Sequence, residues 1–467
     1  MRLTLIHPAI GHRAGESYIR TWQMEPLPIA ALAGLTPADV ELVFHDDRME
    51  AIPFDAPTDA VAIPVETYTA ARAYQIASEY RRRGVPVVMG GFHATLATEE
   101  VSRFAEAVVT GEAEGVWAHV IDDLRHGTLQ HLYRGEPRAL SEVRFDRHLF
   151  IGKRYLPIGL VETGRGCLFP CEFCAIQTFY SRTHRSRPVD DVIAELAELA
   201  PTKRFFFFVD DNFAGNLKTG KPLLSELEKL GLRWITQMSI DAAHDEDFLA
   251  ALARAGCRGV LIGFESLDEA NLRMMNKRFN TMRGGYRAAL ANLRRHGIFV
   301  YGTFIFGYDH DTPESFDAAV DFAAEEGMYI AAFNHLTPFP GTPLYRRLQE
   351  ERRLRYEAWW LDPEYRYNAL PFVPRSLTPE QVTAGCVAAR RRFYAWRSIV
   401  RRSTRHWRDG FVFRSFFLVN AMHRREISQR DGYPMGDETW RGELLEALGP
   451  TGHSRRFARG LVRRSGS

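Results

Sequence analysis

The sequence predicts an α/β protein made of two series of alternating strands and helices, followed by a mostly helical C-terminal region. Short apolar runs alternate with amphipathic stretches over residues 1–135 and again over residues 157–345. This alternation is typical of parallel sheets whose faces are covered by helices. The second series has six repeats, which predicts a partial (β/α)6 barrel instead of the closed eight-stranded form.

The first series predicts a Rossmann-like domain over residues 1–135. Helical spacing over residues 69–83 ends at Gly84, and glycines follow two of the strands, at Gly90, Gly91 and Gly111. In open parallel sheets, ligands bind beyond the carboxyl ends of the strands, where these glycines lie. The predicted strands are residues 3–6, 40–45, 60–65, 86–89 and 107–110.

A less regular linker, residues 136–156, leads into the barrel of residues 157–345. Its predicted strands are residues 158–162, 204–209, 233–239, 258–264, 298–305 and 328–336. The predicted helices between them are residues 189–199, 222–229, 245–255, 286–296 and 313–326.

The C-terminal region, residues 346–467, is basic and aromatic. Over residues 390–402 the spacing favours one helix with Phe393, Trp396 and Val400 packed inward and a solvated arginine face. Contact between these arginines and nucleic acid is the alternative.

Composition excludes several classes of protein. Hydrophobic residues make up 45% and charged residues 25%, which is ordinary for a globular chain, and the net charge of +2 gives no global field toward nucleic acid or membrane. No apolar run approaches the roughly 20 residues of a membrane span, and the N-terminal run is too short for a signal peptide. Five cysteines do not make a disulfide scaffold. We therefore expect a cytoplasmic protein with no membrane or nucleic-acid partner.

Three of the five cysteines fall within eight residues, as Cys167, Cys171 and Cys174 in a C-x3-C-x2-C motif. Thiolates are soft ligands, suited to iron–sulfur clusters or zinc. Three thiolates around a 4Fe–4S cluster leave one iron open to a small chelating molecule. Zinc, with His184 as fourth ligand, is the alternative, although a second ligand pair of the usual kind is missing. Cys257 and Cys386 stand alone and are expected to be small buried hydrophobes.

Residues 164–174, GRGCLFPCEFC, resemble the signature of radical S-adenosylmethionine (SAM) enzymes. Further barrel segments fit that family in order: VDDNF at 209–213, GFES at 263–266, GTFIFGYD at 302–309 and TPFPGTP at 337–343. The resemblance assigns the SAM amino group to the second strand end, its carboxylate and ribose to the fourth, and its adenine to the fifth. The cofactor-binding residues expected in the barrel are Asp211, Asn212, Gln237, Ser239, Glu265, Ser266 and Gly307. For Asn212, capping of the next helix is an equal alternative.

The resemblance implies that Cys167, Cys171 and Cys174 bind the cluster and that the SAM amino and carboxylate groups chelate its open iron. An external electron donor of flavodoxin or ferredoxin type reduces the cluster, and a C–S bond of SAM then breaks homolytically. The sequence assigns no catalytic acid or base.

The first 135 residues are similar to the cobalamin-binding domain that precedes the barrel in one radical SAM subgroup. The cofactor-binding residues that this similarity assigns are Thr67, Thr69, Gly90, Gly91, Phe92, Gly111 and Glu112. Glycines at a strand end allow a flat macrocycle to approach the backbone. The Asp-x-His-x-x-Gly pattern that ligates cobalt elsewhere is absent, so His93 is not expected to be a cobalt ligand. A domain that has lost its cobalamin is the alternative.

The function expected is cobalamin-dependent methyl transfer to an unactivated centre of a small-molecule biosynthetic intermediate. The first alternative is a cobalamin-free radical SAM enzyme that transfers a 3-amino-3-carboxypropyl group or carries out cyclisation or hydrogen abstraction. A corrinoid- or cluster-based sensor is the remote alternative, because no DNA-reading element is visible.

Overall fold

The computed structural model describes residues 1–16, 18–19, 23–281, 284–406 and 410–446. These residues form two compact units. The sheet unit consists of residues 1–155 and 358–367 together with the described residues from 433 onward, and the barrel unit consists of residues 156–357 and 368–432.

The strands are β1 (Arg2–His7), β2 (Gly11–His12), β3 (Glu41–Asp46), β4 (Ala60–Pro64), β5 (Val87–Gly90), β6 (Ala107–Gly111), β7 (Leu132–Gly135), β8 (Ile158–Val161), β9 (Gly164–Gly166), β10 (His184–Ser186), β11 (Phe205–Phe208), β12 (Trp234–Gln237), β13 (Cys257–Glu265), β14 (Phe299–Phe306), β15 (Ile330–His335) and β16 (Gly436–Asp437).

The helices are α1 (Leu27–Leu35), α2 (Ala70–Arg82), α3 (Phe92–Leu96), α4 (Thr98–Val101), α5 (Trp117–His126), α6 (Ala175–Phe179), α7 (Val189–Leu199), α8 (Leu217–Leu230), α9 (Glu246–Arg254), α10 (Glu269–Met274), α11 (Gly285–Arg295), α12 (Pro313–Glu325), α13 (Pro343–Glu350), α14 (Pro379–Phe393), α15 (Trp396–Ser403) and α16 (Gly410–Arg430).

The sheet unit is a parallel sheet of order β3-β1-β4-β5-β6-β7, which confirms the Rossmann-like expectation. Helices α1 and α5 share a core with the buried residues of β1, β4 and β6. All five expected strands are present, and β7 is an additional one, because Leu132 and Tyr133 extend the sheet beyond β6. A short pair, β2 with β16, brings residues from both ends of the chain into this unit.

The barrel unit contains a parallel sheet whose order follows the chain, β8-β11-β12-β13-β14-β15. The six expected repeats are therefore confirmed as a partial barrel. Phe304 of β14 stacks on Phe264 and Phe333 of the adjacent strands and meets Phe322 of α12, so aromatic side chains bind the strands to the outer helices. No helix within the described ranges is long and apolar enough to cross a membrane.

The single helix expected over residues 390–402 is wrong. The chain leaves α14 after Phe393 and enters α15 at Trp396, and both Trp396 (52% exposed) and Val400 (57% exposed) face solvent. Arg402 does not belong to a solvated arginine face. It is buried, with its guanidinium 3.7 Å from the Phe393 ring centroid. It donates to the carbonyl oxygens of Met328 (2.9 Å) and Phe393 (3.1 Å), which gives these groups a hydrogen-bond partner.

The expected divisions at residues 135, 156 and 345 stay predictions. Phe150, within the expected linker, packs in the core of the sheet unit, and segment 358–367 belongs to that unit as well. The basic residues after position 446 lie outside the described residues.

Candidate functional site

The three clustered cysteines lie in a loop at the carboxyl end of β8. Strand β9 precedes Cys167, helix α6 follows Cys174, and β10 returns antiparallel to β9, so that the loop is closed by a small two-stranded sheet. Gly166 allows this closure, since its φ is +89° and a Cβ there would lie 2.1 Å from Thr183 O. The loop thus presents Cys167, Cys171 and Cys174 at the end of the barrel where barrel enzymes bind their ligands.

The surroundings of the thiols suit an iron–sulfur cluster. Burial raises the pKa of all three, that of Cys171 to about 12, while backbone N–H groups donate to two of the sulfurs and lower the pKa in part: Phe169 to Cys167, and Ile176 and Gln177 to Cys174. The side-chain amide of Asn212 lies 3.9 Å from Cys167 Sγ. Hydrogen bonds to sulfur and restricted solvent access are the usual environment of cluster thiolates.

The zinc alternative finds no support in the geometry. Zinc holds four ligands at about 2.0–2.3 Å, and in the described part of the chain no group of three or more His, Cys, Asp or Glu side chains is arranged to hold a metal ion. His184 packs beside the backbone positions of Gly164 and Gly215. Burial lowers its pKa, and a hydrogen bond that its ring donates to the backbone of Asn212 offsets part of that decrease.

Two aspartates after β11 hold the start of the cysteine loop. Asp210 accepts hydrogen bonds from the backbone N–H of Thr163 (2.6 Å) and Gly164 (3.0 Å) and from the Thr163 hydroxyl. Asp211 accepts from Gly166 N at 2.7 Å. Burial raises the pKa of Asp210 to about 7 and that of Asp211 to about 6. Asp211, expected beside SAM, therefore has a positioning contact in this structure, and its SAM role stays a prediction.

Asn212 joins two strand ends to the cysteine loop through its side-chain amide, and the alternative role, capping of the next helix, stays a prediction. Its Oδ1 accepts from Ser239 N at 3.1 Å, and its Nδ2 lies 3.3 Å from Ser239 Oγ as well as facing Cys167. Gln237 ends β12 with a partly exposed side chain. Asn212, Ser239 and Cys167 are thus brought together, and the contact of Asn212 and Ser239 with SAM stays a prediction.

The fourth strand end contains a buried ion pair. Glu265 follows a register shift in β13 and has a φ of +64°; its Oε1 accepts from Lys277 Nζ at 2.8 Å and its Oε2 lies 3.5 Å from Thr303 Oγ1. The neighbouring Ser266 is buried and its Oγ accepts from Asp268 N, at the start of α10. A carboxylate already paired with a cation fits an acceptor for ribose hydroxyls better than a contact for the SAM carboxylate.

Gly307 follows the fifth strand, β14, and its φ of +119° excludes most other residues. Its N–H donates to Asp311 Oδ2 at 2.7 Å, and Asp311 also receives Tyr308 N (3.0 Å) and Asn271 Nδ2 (2.9 Å). Burial raises the pKa of Asp311 to about 6. This network shapes the turn in which the resemblance places the adenine.

In the sheet unit, the expected cobalamin residues follow β4, β5 and β6, at one edge of the sheet. Thr69 forms a capping box with Glu66, and the Thr67 hydroxyl lies 3.2 Å from His93 Nδ1. The other ring nitrogen of His93 lies 3.1 Å from Glu100 Oε1, and the side chain is fully buried. Each ring nitrogen of His93 thus has a hydrogen-bond partner within the sheet unit, and His93 helps to position Thr67. The expectation that His93 is not a cobalt ligand stays a prediction.

The glycines of this edge accommodate neighbouring backbone. A Cβ on Gly91 (φ +96°) would lie 3.1 Å from Val65 N and O, and one on Gly111 (φ +70°) would lie 2.2 Å from Gly135 O. A Cβ on Gly90 would lie 3.3 Å from Val109 O. Phe92 begins α3 with a partly exposed side chain, and Glu112 is buried beside β7. The close approach of a macrocycle to these glycines stays a prediction.

Sequence reasoning missed four side chains that organise these sites: Asp210, Lys277, Glu100 and Trp360. The sequence predicts no separate role for Asp210, which appears only within the VDDNF segment at 209–213, and no role for Lys277. A lysine two residues after the apolar pair Met274–Met275 is the signal that could have marked a buried cation. Glu100 and Trp360 are 260 positions apart, and no local pattern connects them.

The profile of the radical SAM superfamily matches residues 161–323. The chain is 32% identical over 392 residues to the bacteriochlorophyllide d C-12(1)-methyltransferase of Chlorobaculum tepidum, which covers 81% of this chain and 84% of that protein. The chain belongs to the radical SAM family.

Two solved structures share the fold of this radical SAM enzyme. The radical SAM methyltransferase TsrM from Kitasatospora setae, with cobalamin and a 4Fe–4S cluster bound, has a TM-score of 0.59 at 19% identity over 75% of each chain. The cobalamin-dependent SAM radical enzyme OxsB, with aqua-cobalamin and SAM bound, has a TM-score of 0.63 at 14% identity over 91% of this chain and 71% of that one. The expected family, fold class and methyltransferase type of enzyme are confirmed, and the expected cofactor set is the one found in these relatives.

Proposed function

We propose that the protein is a cobalamin-dependent radical SAM methyltransferase that adds a methyl group to an unactivated carbon of a small-molecule biosynthetic intermediate. One observation carries this: the chain matches a methyltransferase over four fifths of its length and joins a three-cysteine barrel to a separate parallel-sheet unit. When bound, the cluster supplies the electron that cleaves SAM, and the corrinoid carries the transferred methyl group.

The barrel residues prepare the site for these groups. Cys167, Cys171 and Cys174 supply three thiolates, and Asp210 and Asp211 fix the loop that carries them. Asn212 and Ser239 present amide and hydroxyl groups beside Cys167, where they suit the amino group of SAM. Glu265 offers a carboxylate oxygen to ribose hydroxyls.

The sheet unit presents the corrinoid surface that the resemblance assigns to Thr67, Phe92 and Glu112. At this carboxyl edge Gly91 and Gly111 allow the backbone of Val65 and Gly135 to approach closely. Because His93 is occupied by Thr67 and Glu100, we propose that the corrinoid binds without a histidine ligand from this chain.

The substrate belongs to the same chemical class as that of a closely related enzyme. The relative from Chlorobaculum tepidum acts on a bacteriochlorophyllide, and we propose a tetrapyrrole or a similarly apolar ring system here. An external one-electron donor of flavodoxin or ferredoxin type reduces the cluster.

The test is reconstitution under anaerobic conditions with iron, sulfide and hydroxocobalamin, followed by turnover with SAM and a chemical reductant. The proposal expects about four irons per chain, a corrinoid absorbance that survives gel filtration, and both 5′-deoxyadenosine and S-adenosylhomocysteine with a bacteriochlorophyllide acceptor. Methylthioadenosine would instead indicate 3-amino-3-carboxypropyl transfer, and 5′-deoxyadenosine alone would indicate cyclisation or hydrogen abstraction. A protein that binds zinc and no iron would overturn the proposal.

A further inference from the structure

The buried pair Lys277–Glu265 lies against the cysteine loop. Lys277 Nζ donates to Glu265 Oε1 at 2.8 Å and to Gly263 O at 3.3 Å, and both side chains are about nine-tenths buried, at 11% and 7% exposure. Burying charged groups costs free energy unless they are paired, so the pair is held together strongly. Gly263 makes room for it, since a Cβ there would lie 2.1 Å from Glu265 Oε1 and 2.9 Å from Lys277 Nζ.

The segment that carries Lys277 is attached to the cysteine loop on both sides of the lysine. Glu172 N donates to Met275 O at 3.3 Å, and Asn276 Nδ2 donates to Pro170 O at 3.2 Å. The rings of Phe169 and Phe279 stack with centroids 4.1 Å apart. The lysine is thus fixed relative to the thiols by contacts that do not involve its own side chain.

The ammonium group acts on all three thiols. Burial raises the pKa of Cys167, Cys171 and Cys174, and the positive charge of Lys277 lowers the pKa of each. The negative charge of Glu265 raises the pKa of Cys171. The ammonium group of Lys277 also lies 5.7 Å from the ring centroid of Phe279, the ring that stacks on Phe169 of the cysteine loop, so its positive charge lies next to that loop.

We propose that Lys277 is a positioning residue that stabilises the reduced cluster by holding a fixed positive charge beside the three thiolates. This inference rests on the proposed cluster at Cys167, Cys171 and Cys174. Reduction by the external donor adds one electron and makes the cluster one charge more negative, so a nearby cation favours the reduced state. Glu265 holds the lysine in place and partly opposes its field.

The alternative is that Lys277 serves only as the counter-ion of Glu265. The two roles predict different effects of substitution on the redox equilibrium of the cluster. If the lysine tunes the cluster, Lys277→Met removes a positive charge and favours the oxidised state, whereas Glu265→Gln removes a negative charge and favours the reduced state. If the lysine is only a counter-ion, neither substitution changes the redox equilibrium of the cluster.

The experiment is a reductive titration of the reconstituted holoenzyme without SAM, followed by the electron paramagnetic resonance signal of the reduced cluster. Two unit charges about 10 Å apart in a protein interact strongly enough to change an equilibrium roughly tenfold. We expect Lys277→Met to lower the reduced-to-oxidised ratio at fixed potential by about tenfold, which is 59 mV for a one-electron couple, and Glu265→Gln to shift it the other way.

Two further variants complete the test. Lys277→Arg keeps the charge and should restore most of the wild-type ratio. Lys229→Met removes an exposed lysine paired with Glu226, on helix α8, and should leave the ratio unchanged. Iron and sulfide content is measured for every variant. If the wild-type protein itself binds no cluster, the proposed function and this inference are both overturned. A wild-type cluster whose potential is unchanged in Lys277→Met, or shifts in the same direction in both pair variants, overturns the role of Lys277 alone.

Discussion

The two units place polar residues at the carboxyl edge of a parallel sheet, but they use them differently. In the barrel unit, three consecutive residues after β11 converge on the cysteine loop: Asp210 and Asp211 bind its backbone, and Asn212 reaches Cys167. In the sheet unit, Thr69 forms hydrogen bonds within a capping box, and Gly91 lies against the backbone of Val65. The comparison teaches that the barrel motif supplies and positions the proposed cluster ligands. Much of the sheet-unit motif instead stabilises the local backbone conformation.

The largest expected effect comes from removing one of the three cysteines in the barrel unit. Cys171→Ser should abolish cluster binding and SAM cleavage, because a 4Fe–4S cube held by two thiolates is not retained. Cys257→Ser, at a buried cysteine that ends no ligand loop, is the matched control. It should keep the full iron content at some cost in stability. Iron analysis and the yield of 5′-deoxyadenosine measure both, and equal iron loss in the two variants would contradict the assignment.

The next effect tests the backbone side. Gly111→Ala places a Cβ 2.2 Å from Gly135 O at a φ of +70°, so strain and a steric clash combine, and we expect a loss of about 3 kcal/mol in the free energy of unfolding. Gly84→Ala has a similar φ of +71° with no atom within 4 Å, and should lose only about 1 kcal/mol. Denaturant titration compares them. If the two variants are equally stable, the close approach of β7 is not what requires Gly111.

A smaller effect concerns Glu100, the acceptor at the centre of the sheet-unit edge. It receives Tyr74 OH at 2.7 Å, Trp360 Nε1 at 2.9 Å and a His93 contact at 3.1 Å. Glu100→Gln replaces one acceptor oxygen by an amide that faces donors, and should cost about 1–2 kcal/mol. The exposed neighbour Glu99→Gln should change the free energy of unfolding by less than about 0.5 kcal/mol. The iron content should be unchanged in both variants. Loss of iron in Glu100→Gln would show that Glu100 affects more than the stability of the sheet unit.

The smallest effect compares two buried aspartates. Burial raises the pKa of Asp47, but hydrogen bonds from Arg72 and His12 outweigh it and lower the pKa overall, whereas Asp311 has no such cation and its pKa is raised to about 6. A raised pKa means that stability is lost as pH rises, here between about 4 and 6, and a lowered pKa means that it is lost only as pH falls below about 4.

Amide hydrogen exchange tests both signs. The opening free energy at the Gly307 and Tyr308 amides, which donate to Asp311, should fall by about 1 kcal/mol from pH 4 to pH 6 after correction for intrinsic rates. The opening free energy at the Ala9 amide, which donates to Asp47 at 3.1 Å, should stay constant over that range. Asp311→Asn should remove the slope at residues 307 and 308; a slope that persists would assign it to another group.

The sequence was sufficient for the features that repeat or cluster. Strand–helix alternation predicted the six barrel strands, and the spacing of Cys167, Cys171 and Cys174 predicted a common loop. It was insufficient where the signal is short or distant. Strand β7 has four residues, one of them Arg134, and β9 with β10 consists of glycines and polar residues without an apolar pattern.

Other misses come from tertiary contacts. The spacing of Phe393, Trp396 and Val400 fitted a helix, but the chain turns at Tyr394, whose hydroxyl donates to Ala331 O, and Arg402 is buried instead. The roles of Lys277 and Trp360 depend on partners 12 and 260 positions away, which one sequence without its structure does not identify.

The interleaving of the chain has a consequence for its synthesis. The polypeptide enters the barrel unit after residue 155, returns to the sheet unit for residues 358–367, and returns again after residue 432. Strand β2 pairs with β16, and Glu100 accepts a hydrogen bond from Trp360. The sheet unit therefore cannot be completed during synthesis until these C-terminal residues are translated, which happens after every strand of the barrel sheet. A fragment cut at residue 155 therefore carries an incomplete unit, and shortened versions of this protein for expression should keep residues 358–367 and 433–446.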